Sequence, residues 1–232
     1  MLRISMRRGC MRRGCMRTAV SAVLACVLAA AAFPQSDGRS VEELRRDTVR
    51  YGTDAEILDL IQKLASEKAS YLDGELKTVA ENTINGKILS GIFGFFSDRD
   101  VPGLEDRAIG LILARDGISG EALTAAIGYV GARKAAAASD ALKDILEAEE
   151  KAFSGPAARA LGRIGSAMDG GGAADTAEYL MAYYTDREPN DEVKREILVA
   201  LGELRAAEGV AFLAGIAASA DERPFRRITA LE

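Results

Sequence analysis

The fold is decided by residues 155–165, which read GPAARALGRIG. Residues 193–204 (VKREILVALGEL) and 118–131 (ISGEALTAAIGYVG) share the same pattern. Each stretch has apolar residues at helical spacing, then a Leu-Gly or Ile-Gly pair, then another apolar residue within a turn. Because glycine costs a helix about 1 kcal/mol relative to alanine, we expect each to have a packing role. A glycine lets a neighbouring helix approach where a Cβ would clash. The paired glycines are Gly128, Gly162 and Gly202.

The remaining sequence from Ser40 onward also follows helical spacing. Residues 53–56 read TDAE, which is the capping-box pattern of a helix start. Alternating runs rich in valine, which would predict strands, are missing from the sequence. The sequence therefore predicts an all-α fold.

Helix starts recur along the chain at intervals of 31–36 residues. The candidate N-cap residues are Thr53, Asn85, Ser119, Ser154, Asn190 and Asp221. One further helix fits into each interval, at residues 71–81, 102–114, 139–151, 174–184 and 209–218, and a first partner helix fits at 40–50. A fixed period of this length is typical of repeat proteins. The chain is predicted to contain about six helix–turn–helix units.

Helix pairs of this length, with a second helix ending Ala-x-x-Leu-Gly-x-Ile/Leu, resemble HEAT repeats. Val193-Lys194 and Phe225-Arg226 fit the apolar-basic pair that opens the second helix in such repeats. The resemblance covers about residues 40–232 and is clearest from residue 118 onward; residues 85–97 keep Gly94 but lack Leu-Gly-x-Ile. It implies a right-handed, armadillo-like α-solenoid of about six stacked units, similar to exported bacterial repeat proteins that bind other proteins.

Residues 1–33 predict a secretory signal peptide. The first 17 residues carry six arginines and no acidic residue, residues 18–32 are uncharged, and Phe33-Pro34 ends the apolar run. We expect cleavage after Ala32, export to the periplasm and a short linker at residues 34–39. The run is short for a transmembrane helix, which needs about 20 apolar residues.

Other interpretations of the two chain ends stay open. The leader could remain uncleaved as an anchor, or Cys26 could be lipidated, because VLAC loosely resembles a lipoprotein box. The letters MRRGC occur twice, so the true start could be Met11 or Met16. At the other end, residues 224–232 begin a second helix of a repeat and stop before its Leu-Gly. We expect the native protein to continue.

The residue types that are missing exclude several kinds of site. The chain has no His and no Trp, and its three cysteines all lie in the leader. The Ser-His-Asp and Cys-His nucleophile pairs are excluded, as are ordinary zinc, haem and iron–sulfur ligand sets. Residues 34–232 carry 24 basic and 35 acidic residues, a formal charge of −11, which argues against nucleic acid as a partner. We predict no catalytic, cofactor-binding or metal-binding residue.

Three stretches are predicted to be a loop or solvent-exposed surface and not a binding or catalytic site. Gly170-Gly171-Gly172 lacks the Gly-Lys-Ser/Thr ending of a phosphate loop and is predicted to be a flexible inter-helix loop. Two groups of carboxylates are predicted to lie on a solvated surface and not to form a catalytic pair. They are Glu147, Glu149 and Glu150, and Asp186, Glu188, Asp191 and Glu192.

Aromatic residues form two groups. Ile92, Phe95 and Phe96 share a helical face and are predicted to pack in the core, whereas Phe93 points elsewhere and is a candidate partner anchor. The second group is Tyr179, Tyr183 and Tyr184, for which core packing is favoured over a partner interface.

Basic residues recur on the second helices of the repeats. They are Arg159 and Arg163, Lys194 and Arg195, and Arg226 and Arg227. Stacking would align them into a stripe that either pairs with acidic loop residues between repeats or forms a concave basic surface for an acidic partner.

The sequence as a whole predicts an exported, non-enzymatic scaffold that mediates protein–protein interaction. One alternative is a membrane-tethered assembly factor held by the leader. Another is an enzyme on a HEAT-like fold, since some HEAT-like proteins are DNA glycosylases or bilin lyases. The acidic composition opposes the basic groove of a glycosylase, and export opposes both enzymes. Partner identity and oligomeric state are not encoded in any recognisable motif.

Overall fold

A computed structural model describes residues 39–232. The chain divides into two compact units, residues 1–41 and 42–232. Only the last three residues of the first unit are described. The signal peptide, most of the linker, the alternative starts and Cys26 therefore lie outside the described residues.

Regular structure between residues 39 and 232 is entirely helical, which confirms the all-α prediction. Twelve α-helices follow one another there, with 3₁₀ turns at Arg115–Gly117 and Ala136–Ala138. The helices are α1 (Val41–Tyr51), α2 (Asp54–Glu67), α3 (Asp73–Asn82), α4 (Gly86–Asp98), α5 (Glu105–Leu113), α6 (Gly120–Ala132), α7 (Ser139–Glu147), α8 (Ser154–Gly165), α9 (Gly170–Asp186), α10 (Asp191–Leu204), α11 (Ala207–Ala218) and α12 (Pro224–Thr229).

Side-chain caps fix the starts of four even-numbered helices. Thr53 and Glu56 form a complete capping box at α2. Asn85, Ser119 and Asn190 accept hydrogen bonds from backbone N–H groups in the first turns of α4, α6 and α10. These four predicted N-caps are confirmed.

The other two predicted N-caps are wrong. At α8 the N-cap position is Phe153, because Ser154 is already helical and its hydroxyl donates backwards to the Glu150 carbonyl oxygen. At α12 the N-cap position is Arg223, not Asp221, and Pro224 occupies the first helical turn. Proline suits that position because its missing N–H would have no helical partner there.

The even-numbered helices pack against one another in chain order. Helix α2 contacts α4, and contacts continue from α4 to α6, α8, α10 and α12. From α4 onward, each even-numbered helix also contacts the odd-numbered helix just before it. Contacts between odd-numbered helices join α5 to α7 and α9 to α11. Each pair of helices therefore packs against the next pair along the chain.

One hydrophobic core runs from Val49 to Leu204. Ile92, Phe95 and Phe96 of α4 are buried in it, as predicted. Phe93 is also completely buried, with its ring centroid 5.3 Å from that of Tyr129. The expectation that Phe93 could anchor a partner is therefore wrong, because α6 covers the side of α4 on which it lies.

The glycine predictions separate into two outcomes. A Cβ built on Gly162 would lie 2.7 Å from Cα of Ala200 and 2.8 Å from its carbonyl oxygen, so α10 approaches α8 closely there. Apart from the adjacent residues and nearby backbone of the same helix, no atom of residues 39–232 comes within 4 Å of a Cβ built on Gly128 or Gly202. In α6 the close approach occurs at Gly131 instead, against Ala160. The predicted packing role is therefore confirmed at Gly162 and wrong at the other two paired glycines.

The predicted Gly170–Gly172 loop is also wrong, because these residues form the first turn of α9. Asp169 occupies the N-cap position, and its negative charge suits the positive end of the helix dipole. A Cβ at Gly172 would overlap Met168, so the turn also packs tightly. Helix α9 therefore begins at these glycines despite the poor helix propensity of glycine.

Arginine side chains join helix ends and turns that lie 24 to 35 residues apart in sequence. Arg99 pairs with Asp73 at 2.7 Å, and Arg115 pairs with Glu150 at 2.6 Å. Arg107 donates to the Ala80 and Thr83 carbonyl oxygens at the end of α3. Partly exposed pairs of this kind stabilise a fold by about 1 kcal/mol or less each. They fix the register of packing while the apolar core supplies most of the stability.

Tyr184 predicts a specific alkaline dependence of stability. Its ring is buried against Phe212 of α11, and its hydroxyl donates to Glu222 at 3.1 Å. Burial, together with the negative charge of Glu222, raises the pKa of Tyr184 to about 12. An unfolded tyrosine has a pKa near 10. Folding is therefore favoured by this group below pH about 10, and the contribution is lost as the pH rises through about 12.

As the pH rises from about 10 to 12, we expect the free energy of unfolding of Tyr184→Phe to fall less than that of the parent protein. The difference should be on the order of 1 kcal/mol. Denaturant unfolding of both proteins across this pH range measures the difference. Parallel curves for the two proteins would show that Tyr184 ionises as readily in the folded state as in the unfolded state.

Candidate functional site

A groove of about 1190 Å³ runs along α8, α10 and α12 of the described chain. Basic side chains form one part of its lining and apolar side chains form another. We call this surface the groove. Its charged lining residues are Lys134, Arg159, Arg163, Arg195, Glu203, Arg205 and Glu232.

The basic lining residues come from three successive even-numbered helices and the turns that end them. Arg159 and Arg163 lie one turn apart on α8, and Arg195 lies on α10. Lys134 follows the end of α6, and Arg205 is the C-cap of α10; both have left-handed backbone, with φ of 53° and 56°. Five basic and two acidic side chains therefore line the groove, and Glu196 beside it pairs with Arg159 and Arg195, in a protein whose residues 34–232 carry a net negative charge.

The groove's internal ion pairs are long. Arg163 Nε lies 3.5 Å from Glu203, and Arg159 lies 3.5 Å from Glu196 and 3.9 Å from Glu203. Among the described atoms, Arg159 Nε and Glu203 Oε2 are buried without a hydrogen-bond partner. Strong Arg–carboxylate hydrogen bonds are near 2.7–2.9 Å. The two arginines of α8 are thus attracted to the glutamates of α10, but their N–H groups do not all have hydrogen-bond acceptors.

Three cations of the groove are freer than the arginines of α8. Arg195 is exposed and its nearest carboxylate, that of Glu196, lies 3.7 Å away. Lys134 and Arg205 are exposed, and no carboxylate within residues 39–232 forms a salt bridge with either. Such side chains can pair with a new carboxylate at little cost to the fold.

Apolar residues of α10, α11 and α12 form the other wall of the groove, and we call them the apolar wall. They are Val199, Leu213, Phe225 and Ile228. Ile228 remains 58% exposed and Phe225 39% exposed. We call the five basic lining residues, Lys134, Arg159, Arg163, Arg195 and Arg205, the basic rim. A ligand in the groove can bury apolar surface against the apolar wall and pair its charges with the basic rim.

Gly202 lies in the floor of the groove with open space above it. A smaller cleft of about 310 Å³ between α6, α8 and α10 contains Gly128, and it shares Arg159 and Arg163 with the groove. Since both glycines are exposed and helical, alanine would favour the helix at either position. A glycine without a packing contact leaves room for another molecule's backbone to come close.

The structure brings together only three of the six basic residues that the sequence placed in one stripe. Arg159, Arg163 and Arg195 line the groove. Lys194 lies 4.9 Å above the Tyr184 ring, Arg226 pairs with Asp191 and Glu222, and Arg227 donates to the Ala217 carbonyl oxygen. Arg159, Arg163 and Arg195 pair with glutamates of α10, whereas Arg226 pairs both with Asp191 of α10 and with Glu222 in the loop before α12, so the predicted pairing with acidic loop residues occurs at Arg226.

The predicted carboxylate clusters are divided among separate arginines. Glu147 accepts hydrogen bonds from Tyr179 at 3.0 Å and from Arg187 at 2.7 Å. Asp191 pairs with Arg223 and Arg226, which lowers its pKa. Tyr183 and Tyr184 are buried, as predicted, whereas Tyr179 is partly exposed. Burial and the nearby Glu147 raise the pKa of Tyr179.

Sequence reasoning missed Lys134 and Arg205 as members of the groove. Each lies just beyond the end of an even-numbered helix, where the negative end of the helix dipole stabilises a basic side chain. A search for basic residues after the helices with paired glycines would have found both.

Within residues 39–232, no group of three or more His, Cys, Asp or Glu residues is arranged to hold a metal ion. No helix there is long and apolar enough to cross a membrane.

Comparisons with protein-family models, with curated proteins and with solved structures gave no match to this chain.

Proposed function

We propose that this chain is a HEAT-like α-solenoid that is exported to the periplasm and acts there as a non-enzymatic scaffold for another protein. The observation that carries the proposal is the serial packing of α2, α4, α6, α8, α10 and α12. Such packing, with an even-numbered helix starting every 32–37 residues, is the arrangement expected of stacked repeats. Repeats of this kind present extended concave surfaces to their partners.

The groove supports a binding role for the scaffold. It extends over three successive even-numbered helices, combines a basic rim with an apolar wall, and includes an exposed helical glycine. Large exposed apolar side chains beside polar ones are typical of protein interaction sites. The basic leader and its uncharged core support export.

The proposal is tested by recovering the tagged full chain from its native host. Cells are fractionated, the intact mass of the protein is measured, and proteins that co-purify after mild cross-linking are identified. We expect a periplasmic species whose N-terminus is near Phe33, with a stoichiometric protein partner. A species that keeps residues 1–33, or carries a lipid at Cys26, would replace the free scaffold with an anchored assembly factor. A turnover reaction that depends on particular carboxylates would contradict the non-enzymatic role.

A further inference from the structure

The chemistry of the groove specifies what kind of partner it suits. Its rim carries Lys134, Arg159, Arg163, Arg195 and Arg205, against Glu203 and Glu232. The protein outside the leader is acidic, so this local excess of positive charge departs from the general surface. Complementary charge steers association and suppresses partners of the wrong sign. The occupant of the groove should therefore be acidic.

The apolar wall adds a second requirement. Phe225 and Ile228 project beside the rim, and Val199 and Leu213 lie partly buried between α10 and α11. A purely anionic ligand such as a nucleic acid backbone leaves these side chains in water. A ligand that carries bulky apolar groups as well as carboxylates buries them and gains about 25 cal/mol per Å² of apolar surface.

The existing ion pairs leave capacity for new ones. Glu203 bridges Arg159 and Arg163 at 3.5–3.9 Å, and a nitrogen of Arg159 has no hydrogen-bond partner among the described residues. The Arg159 and Arg163 side chains are 43% and 40% exposed, so a carboxylate that approaches their exposed nitrogens can form shorter hydrogen bonds than Glu203 does. Arg195, Lys134 and Arg205 extend the rim on either side with exposed charges.

We propose that the groove binds an acidic segment of a partner protein, with carboxylate side chains on the basic rim and a bulky apolar side chain against the apolar wall. The backbone of this segment approaches α10 at Gly202, where no Cβ occupies the space. The inference rests on the proposed scaffold function and defines the chemistry of its partner.

The test is a selection of peptides from a displayed random library on the full-length protein. A parallel selection uses the triple variant Lys134→Glu, Arg195→Glu, Arg205→Glu, which reverses the three freest charges of the rim. The matched control is Lys68→Glu, Lys87→Glu, Lys151→Glu. All three control lysines are exposed and lie outside the groove, and Lys68 shares the left-handed backbone of Lys134 and Arg205, with φ of 54°.

We expect the parent and control proteins to enrich peptides that combine Asp or Glu with Leu, Ile, Phe or Trp. The best such peptide, labelled and titrated at low salt, should bind the rim triple variant about 30-fold more weakly than the control triple variant. The difference should shrink as salt is raised, because salt screens exposed charges. Circular dichroism on all three proteins checks that each is folded.

Several results would overturn the inference. These are enrichment of neutral or basic peptides, equal binding by the two triple variants, or no enrichment at all. Tight binding of duplex DNA that depends on the rim, without peptide enrichment, would assign the groove to nucleic acid. Dimerisation that the rim variant abolishes would assign it to a second copy of this chain. If the partner recovered from the host still binds the rim variant, the scaffold function stands and the groove is not its site.

Discussion

Replacing Gly162 with alanine is expected to lower the free energy of unfolding by about 2 kcal/mol or more. The added methyl would lie 2.7 Å from Cα and 2.8 Å from the carbonyl oxygen of Ala200. Backbone cannot rotate away as a side chain can, so α8 and α10 must separate. The cost of that separation exceeds the gain of about 1 kcal/mol in helix propensity that alanine brings. Denaturant unfolding followed by circular dichroism measures the change.

Gly94 supplies the matched control for this substitution. It occupies the corresponding place in α4 and is exposed, and no neighbouring helix or side chain of the described residues comes within 4 Å of an added Cβ. Gly94→Ala should therefore raise the free energy of unfolding by about 0.5–1 kcal/mol. Opposite signs for the two substitutions are the expected result. Destabilisation of similar size at both positions would contradict the close approach of α8 and α10.

Truncating Phe93 to alanine is expected to destabilise the protein by about 3–5 kcal/mol. The ring is completely buried in the core and contacts Tyr129 of α6. Removing it deletes a large apolar group and leaves a cavity between α4 and α6 that rigid helices fill only in part. Loss of this size can unfold a domain with ordinary stability, so the melting temperature is a second measure.

Tyr51→Ala is the control for Phe93→Ala, since it also removes an aromatic ring from a helix. The Tyr51 side chain is 82% exposed, and we expect a change within about 0.5 kcal/mol. If Phe93→Ala were equally mild, Phe93 would be a surface residue, and its earlier interpretation as a partner anchor would return.

Local chemistry made the starts of four of the six even-numbered helices predictable from sequence. Thr53, Asn85, Ser119 and Asn190 cap helices because their side chains satisfy first-turn N–H groups regardless of what packs nearby. The spacing of these caps also predicted the number of helices in the described chain. Where a serine had another local partner, as Ser154 does in Glu150, the predicted start was one residue wrong.

The rotation of each helix about its axis was not predictable. Phe93 was placed away from the core because only one face of α4 was assigned to packing, yet α2, α3 and α6 all contact this helix. The same limit affected the glycines. Gly162 faces α10 and Gly128 faces open space, although both follow an apolar residue in the same pattern. Which face is covered depends on neighbours that are distant in sequence.

The groove was only partly visible in the sequence for the same reason. Arg159, Arg163 and Arg195 were recognised as recurring basic residues, but Lys194 and Arg226 were grouped with them and lie elsewhere. Lys134 and Arg205 depend on the left-handed turns that end α6 and α10. Periodicity identifies which helix carries a charge, whereas the turn geometry decides which side chains converge.

Site-specific photo-cross-linking in the native host tests whether a protein partner occupies the groove. A photoreactive amino acid is placed at Ile228, which is exposed on the apolar wall, and separately at Ala182, an exposed residue of α9 outside the groove. We predict that Ile228 yields one discrete cross-linked protein and that Ala182 yields none. The product from Ile228 should disappear when the three rim substitutions are made in the same chain. Equal cross-linking from both positions, or a product that survives the rim substitutions, would contradict occupation of the groove by a protein partner.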